Sequence, residues 1–195
     1  ATEPAAPVRE VVVLGATGLV GSHLVEALVS DPGVGRVVAP LRRPEERWAA
    51  PLRKAGSREA FRRVDFVAVV EAARLAVSVG ARDVLFVSWA GADPGSRGSY
   101  LRVKGEAEAA LSALPCHSVH VFRPSILTGN RRESRPAERV GIILATLATP
   151  LMVGPTRRYR PTAAATVSGA MARAAQAPGA GRRVWESEEI AELGA

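Results

Sequence analysis

The feature that most constrains the fold lies near the start of the chain, where a buried-strand pattern runs into a cluster of glycines. The segment VVVLG after Glu10 is a short β-branched run, typical of a strand buried on both faces, and it ends at Gly15. Apolar residues then recur at helical spacing as far as Leu28, and an Asp-Pro-Gly cluster ends the predicted helix. Residues 36–41 (RVVAPL) predict a second strand. The chain therefore opens with a predicted βαβ unit of a parallel sheet.

The turn between the first strand and the first helix predicts a phosphate-binding site. Gly15 permits a tight turn, Gly18 lets the backbone approach a pyrophosphate, and Gly21 lets the helix pack close to the strand. The start of the helix then presents unpaired N–H groups and a partial positive charge to the phosphates. The alternative is that these glycines only turn the chain. The residues predicted to bind a dinucleotide are Gly15, Ala16, Thr17, Gly18, Leu19, Val20 and Gly21.

Two arginines after the second predicted strand favour NADP over NAD as the cofactor. At this position an acidic residue would bind the ribose 2′-hydroxyl of NAD, whereas arginine would accept the 2′-phosphate of NADP. Arg42 and Arg43 stand here, and two guanidinium groups can hold a phosphate through charge-assisted hydrogen bonds. The sequence predicts NADP(H), unless the pair is an ordinary solvated pair in an arginine-rich chain.

Strand and helix patterns continue to alternate along the chain. A loop is predicted over 44–57, and from residue 126 onward the pattern weakens into an arginine-rich loop and less regular elements. The fold class predicted is α/β, with a doubly wound parallel Rossmann-type sheet in one domain over 1–195. Residues 1–8 are expected to form a flexible tail, and 124–195 the substrate side. The further predicted elements are a long helix over 58–79, a strand at 83–88, a helix over 100–114, a strand at 118–122, helices at 140–148 and 163–175, and an end piece at 183–186.

Composition narrows the classes of function. A length of 195 residues with 47% hydrophobic content suits one compact domain. The longest uncharged stretch, 140–156, contains glycines and a proline and falls short of a bilayer span, so no integral membrane association is expected. The net charge of +7 comes from scattered arginines without interleaved aromatic residues, so nucleic acid is not an expected partner. Cys116 is the single cysteine, which fits a reducing compartment and predicts a cytoplasmic protein. No metal site is predicted.

Three side chains form a candidate catalytic set. Tyr100 and Lys104 open a predicted helix at i, i+4 spacing, so the phenol and the ammonium share one helix face. Ser88 closes a parallel strand, at the sheet edge where open α/β folds hold ligands. We expect the ammonium to lower the tyrosine pKa from about 10, so that Tyr100 passes a proton while Ser88 orients a carbonyl oxygen. Lys104 would also hold the nicotinamide ribose. The alternative is a structural tyrosine beside a surface lysine.

Seven segments in the same order resemble the short-chain dehydrogenase/reductase superfamily, most of all its small atypical branch that includes the Tat-interacting oxidoreductase. The resemblance implies NADPH binding, a catalytic set of Ser88, Tyr100 and Lys104, and a place beside the cofactor for Arg123 and Pro124. The segments are GATGLVG from Gly15, the pair Arg42-Arg43, the serine closing DVLFVS, GAD at 91–93, YLRVKGEAE from Tyr100, VFRPSIL from Val121 and RRESRP from Arg131.

The sequence departs from this family at three places. The family has two further strands with their helices between the arginine pair and Lys54, where this chain has only the short interval 44–53. A parallel crossover needs a dozen or more residues, so the interval cannot contain them. Either strand 83–88 has moved next to the first strand, or residues are missing from the sequence. Trp89 replaces a second serine, and Asp65 replaces an asparagine that supports the proton relay in many dehydrogenases.

The function predicted is that of an NADPH-dependent oxidoreductase acting on a small carbonyl or alcohol substrate. A second hypothesis is a non-catalytic NADPH-binding regulator that binds another protein. A third is that residues 140–153 form an apolar patch for a membrane surface or a partner, although such a helix beside a cleft is more often a pocket wall or core.

Overall fold

The predicted βαβ unit is present at the start of the part of the chain described by a computed structural model, which comprises residues 9–16, 18–39, 57–129, 159–176 and 179–195. Strand β1 (Arg9–Val12), helix α1 (Leu19–Val29) and strand β2 (Val34–Val38) follow one another, and β1 pairs with β2 in parallel. The predictions for Thr17, Arg42, Arg43, the interval 44–53, the arginine-rich loop from Arg131 and the apolar stretch 140–153 lie outside the described residues.

A long helical segment follows, as predicted, but it contains a wider turn. Helix α2 (Arg58–Arg62) continues into a π-helical stretch (Arg63–Ala68) and then into helix α3 (Val69–Ser78). Ser57 caps the start, because its hydroxyl oxygen accepts a hydrogen bond from the Ala60 N–H at 3.0 Å. A π-helical turn inserted into an α-helix changes the direction of the side chains it carries, and such turns are frequent at functional sites.

The second half of the chain forms the larger sheet. Strand β4 lies between β3 and β7, and all three run parallel, while the short β5 and β6 pair with each other. The elements are β3 (Asp83–Val87), α4 (Ser99–Ser112), β4 (Ser118–Arg123), β5 (Leu127–Thr128), β6 (Thr162–Ala163), α5 (Ala164–Gln176), β7 (Gly181–Glu186) and α6 (Ser187–Gly194). Helix α6 was missed from the sequence, although Glu186 and Glu189 form a capping box at its start.

Two apolar clusters cover the two faces of the β3–β4–β7 sheet. Along β4, Val119 and Val121 pack into one cluster with helices α3 and α4, whereas Phe122 packs into the other with α1, α5 and α6. This alternation follows from the two-residue period of a strand. The sheet therefore has helices on both faces, and the prediction of a doubly wound α/β fold is confirmed.

The two ladders of parallel strands are separate in the described residues. β1 is hydrogen-bonded to β2 but not to β3, so β3 has not taken the place beside β1 that a reduced sheet would require. Val12 and Leu14, at the end of β1, are 50% and 51% exposed. The contact between the two halves runs instead through side chains, chiefly where α1 packs on α5.

Candidate functional site

The glycine turn before α1 has the tight geometry expected from its sequence. Gly15 has φ of +73°, in the left-handed region that favours glycine, and its carbonyl oxygen accepts a hydrogen bond from the Gly18 N–H at 2.8 Å. A Cβ atom at Gly21 would collide with this same carbonyl group. The first turn of α1 is thus packed directly on the backbone of the turn, and only glycine fits there.

The start of α1 is open to a ligand. Gly18 is the N-cap, no side chain caps the helix, and the first turn holds no acidic residue. The first backbone hydrogen bond of the helix runs from the Ser22 N–H to the Gly18 carbonyl oxygen at 3.0 Å. The N–H groups before Ser22 therefore lie ahead of the hydrogen bonds that link successive turns of the helix. Such a helix start fits the diphosphate of a dinucleotide, which would supply both the negative charge and the missing acceptors.

The segment after β5 closes on the start of α1. A Cβ atom at Gly129 would lie 2.9 Å from a methyl carbon of Leu19, closer than an ordinary van der Waals contact. Leu127 packs against the same apolar cluster as α1. The chain beyond β4 therefore borders the predicted phosphate site.

Ser88 lies one residue beyond β3, as predicted, but its hydroxyl already has a partner. Its N–H donates to the Phe122 carbonyl oxygen at 2.7 Å, which extends the β3–β4 alignment. Its Oγ donates to Oε1 of Glu108 at 2.5 Å, and the two residues are only 3% and 2% exposed. The Ser88 proton is therefore directed into the protein interior.

Glu108 is a buried carboxylate at the centre of a network of charges. It accepts hydrogen bonds from Nε and Nη2 of Arg123 at 3.0 and 2.7 Å and from Nη2 of Arg182 at 3.3 Å. Arg123 also donates to Glu186 at 3.2 Å and to the Ala92 carbonyl oxygen at 3.2 Å. The hydrogen bonds to Glu108, ahead of the opposing effect of burial, raise the pKa of Arg123. Arg123, predicted to lie beside the cofactor, is thus held by two carboxylates.

Sequence reasoning missed Glu108, although a signal for it exists. Tyr100, Lys104 and Glu108 follow one another at four-residue spacing along α4, so they share one face of the helix. The same reasoning that paired the phenol with the ammonium would have placed this carboxylate one turn further along.

Lys104 is paired with Asp65. Its Nζ lies 2.7 Å from Oδ1 of Asp65, and the two side chains are 11% and 16% exposed. Asp65 belongs to the π-helical stretch, which packs against α4. The ammonium also lies 5.4 Å from the ring centroid of Phe86. Asp65, which the sequence shows only as a replacement for asparagine, is a direct partner of the predicted catalytic lysine.

Tyr100 lies between two aromatic rings. Phe61 stacks on the phenol with a centroid distance of 5.4 Å, and Trp89 meets it edge to face at 5.7 Å. Burial, and secondarily the charge of Asp65, raise the pKa of Tyr100 to about 12. The expectation of a lowered tyrosine pKa is wrong, because burial disfavours the phenolate and the nearby charge of Asp65 acts in the same direction.

The loop before α4 fixes the helix that carries Tyr100 and Lys104. A Cβ atom at Gly105 would collide with the backbone of Asp93 and Pro94, and the Asp93 N–H donates to the Leu101 carbonyl oxygen at 3.2 Å. Pro124 is fully buried, and its carbonyl oxygen accepts from the Ala90 N–H at 3.0 Å. These close contacts hold the end of β3 and the start of α4 together.

The described residues contain neither a cluster of metal ligands nor a membrane-spanning helix. Within 9–16, 18–39, 57–129, 159–176 and 179–195, no group of three or more histidine, cysteine or acidic side chains is arranged to hold a metal ion. In the same segments no helix has the length and apolar character needed to cross a bilayer.

Comparison with known proteins finds relatives of this chain in sequence and in fold. No family model matches it. The mitochondrial protein fmp52 of Aspergillus fumigatus is 31% identical over 175 aligned positions, covering 71% of this chain and 75% of the relative. Protein HTATIP2 of Rattus norvegicus is 44% identical over 86 positions, covering 44% of this chain and 35% of the relative. The solved structure of RMD from Pseudomonas aeruginosa complexed with NADPH is 17% identical, with a TM-score of 0.65 over 91% of this chain and 77% of that one.

The fmp52 alignment also bears on the shortened sheet. It runs over 175 positions, whereas 71% of this chain is only about 138 residues, so some 37 positions of the alignment have no residue here. In total these positions are enough for a strand with its crossover, since the crossover takes a dozen or more residues.

The expected cytoplasmic location is wrong. The fmp52 relatives matched over about two thirds of this chain or more are named as mitochondrial proteins. The prediction rested on the single Cys116, and a lone cysteine indicates a reducing environment without distinguishing one reducing compartment from another.

The fold and the relatives agree on the identity of the chain. The parallel sheet with helices on both faces and the glycine turn before α1 are those of a Rossmann-type fold, as in the NADPH complex of RMD. The alignment with fmp52, at 31% identity, covers 71% of this chain and 75% of the relative. This protein belongs to the fmp52 family, within the atypical branch of the short-chain dehydrogenases/reductases.

Proposed function

We propose that this protein is an NADPH-dependent oxidoreductase that reduces a small carbonyl compound. The observation that carries the proposal is the surroundings of Tyr100, a protonated phenol between Phe61 and Trp89 on the helix face that also presents Lys104. A neutral phenol is the group that a carbonyl oxygen requires as it gains negative charge.

The glycine turn supports binding of a nicotinamide cofactor. A Cβ atom does not fit at Gly21, and no side chain caps the helix at Gly18. Both features suit the binding of a diphosphate at the start of α1. Arg42 and Arg43 are the residues we assign to the 2′-phosphate, on sequence grounds. When bound, NADPH supplies the hydride that reduces the carbonyl carbon.

The side chains around Tyr100 have separate roles in the proposed reaction. Tyr100 gives its proton to the carbonyl oxygen and regains one from water, and Lys104 is the candidate for holding the cofactor ribose. Ser88 has a different role from the one first expected, because its proton is donated to Glu108 and not to a substrate. It secures the end of β3 against α4. Phe61 and Trp89 give the phenol aromatic neighbours, which favours flat, apolar carbonyl substrates such as aromatic aldehydes and quinones.

The Tyr100→Phe variant tests the proposal. Removal of the proton donor should reduce turnover by about 10²-fold or more, while the affinity for NADPH stays close to that of the parent protein. NADPH binding is measured by fluorescence titration and turnover by NADPH oxidation with a panel of aldehydes, ketones and quinones. Tyr159→Phe removes the same atom from the chain's other tyrosine and is the matched control. Equal turnover of the Tyr100→Phe variant and the parent would exclude Tyr100 as the acid.

A second candidate is a non-catalytic NADPH-binding regulator. One observation favours it: the hydroxyl of Ser88, which would orient a substrate, is bound to Glu108 in the interior. This candidate predicts tight NADPH binding with no NADPH oxidation by any member of the carbonyl panel. Turnover that depends on Tyr100 would reject it.

A further inference from the structure

The contact between Asp65 and Lys104 has the features of a fixed pair. The two charged atoms are 2.7 Å apart, and both side chains are largely buried. In such surroundings a charge-assisted hydrogen bond is strong, and the loss of one partner leaves the other as an unpaired buried charge. Of the chain's two lysines, Lys54 and Lys104, this is the one on the face of α4 that carries Tyr100.

Asp65 lies in the π-helical stretch, on the side of the segment that contacts α4. Phe61, which stacks on Tyr100, lies on α2 just before this stretch, and Asp65 lies within it. One continuous segment thus supplies both an aromatic neighbour for the phenol and a carboxylate for the ammonium. Residues four apart on a helical segment share one face, so Phe61 and Asp65 contact Tyr100 and Lys104, which are also four apart on α4.

We propose that Asp65 is a positioning residue that neutralises Lys104, so that Tyr100 remains protonated and the site acts as a proton donor for carbonyl reduction. This inference rests on the proposed oxidoreductase function, and it specifies that the reaction runs in the direction of carbonyl reduction. An unpaired ammonium beside a phenol favours the phenolate, which is a proton acceptor suited to alcohol oxidation. The carboxylate removes that bias.

The other groups around Tyr100 support this assignment. Burial and the charge of Asp65 act in the same direction, and together they raise the pKa of Tyr100 to about 12. From α2, the guanidinium of Arg62 pairs with Glu106 and lies over the Phe66 ring. The residue that contacts the phenol from the end of β3 is the uncharged Trp89. After burial, Asp65 is therefore the charge that raises the pKa of the phenol, and Lys104 is its partner at 2.7 Å.

The decisive experiment titrates one tyrosine directly. The chain has two tyrosines, so in a Tyr159→Phe background Tyr100 is the source of the tyrosinate absorbance. Asp65→Asn in this background should lower the midpoint of the Tyr100 titration by about one pH unit or more. Glu106→Gln, which removes a carboxylate paired with Arg62, is the control and should leave the midpoint unchanged. Circular dichroism limits the comparison to pH values at which each variant is folded.

Two further variants allow the Tyr100 titration to be interpreted even if one variant does not fold. Asp65→Glu should restore a high midpoint, because the carboxylate is kept. Lys104→Gln removes the ammonium but leaves Asp65, so it should raise the midpoint. An unchanged midpoint in Asp65→Asn, or a fall in Lys104→Gln, would overturn the inference.

The titration separates this inference from the proposed function, since it needs neither cofactor nor substrate. If the midpoints shift as expected but no carbonyl compound is reduced, the reductase proposal fails and the control of Tyr100 by Asp65 stands. If turnover depends on Tyr100 but the midpoints do not move, the reverse holds. Where turnover is found, Asp65→Asn should also make the rate of reduction decline at a lower pH than in the parent protein.

Discussion

The glycine turn before α1 and the cluster of side chains on α4 are built in different ways. In the turn, the contacts join residues within the short segment from Gly15 to Ser22, and nearly all of them involve backbone atoms. In the cluster, Lys104 and Glu108 take their partners from the π-helical stretch, the end of β3, β4 and β7. The turn depends on the absence of side chains, and the cluster on charges supplied by distant segments.

This difference has an energetic consequence. A backbone turn loses its shape when a side chain is added, and the cost is that of steric overlap. A buried charge network loses stability when a partner is removed, because the remaining charge is left without compensation in the interior. The two regions should therefore respond to opposite kinds of substitution.

The largest effect is expected at Glu108. Glu108→Gln keeps the shape of the side chain but leaves Arg123 with less compensation, and it should lower the free energy of unfolding by about 3–5 kcal/mol. Glu106→Gln, in more exposed ion pairs on the same helix, should cost less than about 1 kcal/mol. Urea unfolding measures both. Similar losses in the two variants would show that the network is not a separate source of stability.

A smaller effect is expected from alkaline pH. An unfolded tyrosine ionises near pH 10, whereas burial and Asp65 raise the pKa of Tyr100 to about 12 in the folded protein. Between these values the folded state retains a proton that the unfolded state has lost, so stability falls as pH rises, by about 2–3 kcal/mol in all. Below pH 10 this group contributes no pH dependence. Urea midpoints across this range should fall less steeply in Tyr100→Phe, and parallel slopes would contradict the prediction.

The smallest change in stability is expected in the turn. Gly21→Ala forces the backbone at Gly15 to move, at a cost of about 1–3 kcal/mol. The same movement displaces the N–H groups at the start of α1, so NADPH affinity should fall by about tenfold or more. Gly179→Ala is the control, because a Cβ there meets no atom within 4 Å. Unchanged NADPH affinity in Gly21→Ala would mean that the turn does not hold the phosphates.

Much of the fold could be predicted from the sequence. The βαβ opening, the helical segment from Arg58, β3, α4, β4 and α5 were found because their apolar residues recur at strand or helix spacing. The π-helical turn could not be found, since its residues keep the composition of an ordinary helix. Helix α6 was overlooked because it is short, although its capping box is visible in the sequence.

The sequence was enough to predict which residues form the site, but not which side chains they contact. Tyr100 and Lys104 were selected by spacing within one helix, a relation that the sequence contains. The partner of Lys104 lies 39 residues earlier along the chain, at Asp65, and no local rule connects them. The pKa of Tyr100 is raised first by burial and then by the charge of Asp65, and neither can be predicted from spacing within one helix.

The separation of the two strand ladders has a consequence for how the molecule opens. Among the described residues, no backbone hydrogen bond joins the segment from β1 to β2 with the β3–β4–β7 sheet. That segment is joined to the sheet through side-chain packing, so its amide hydrogens should exchange with solvent sooner than those of β4, which is paired on both edges. A dinucleotide spanning from the glycine turn to Tyr100 would act as a brace between the two parts, and its binding would slow exchange in β1 and β2 most of all.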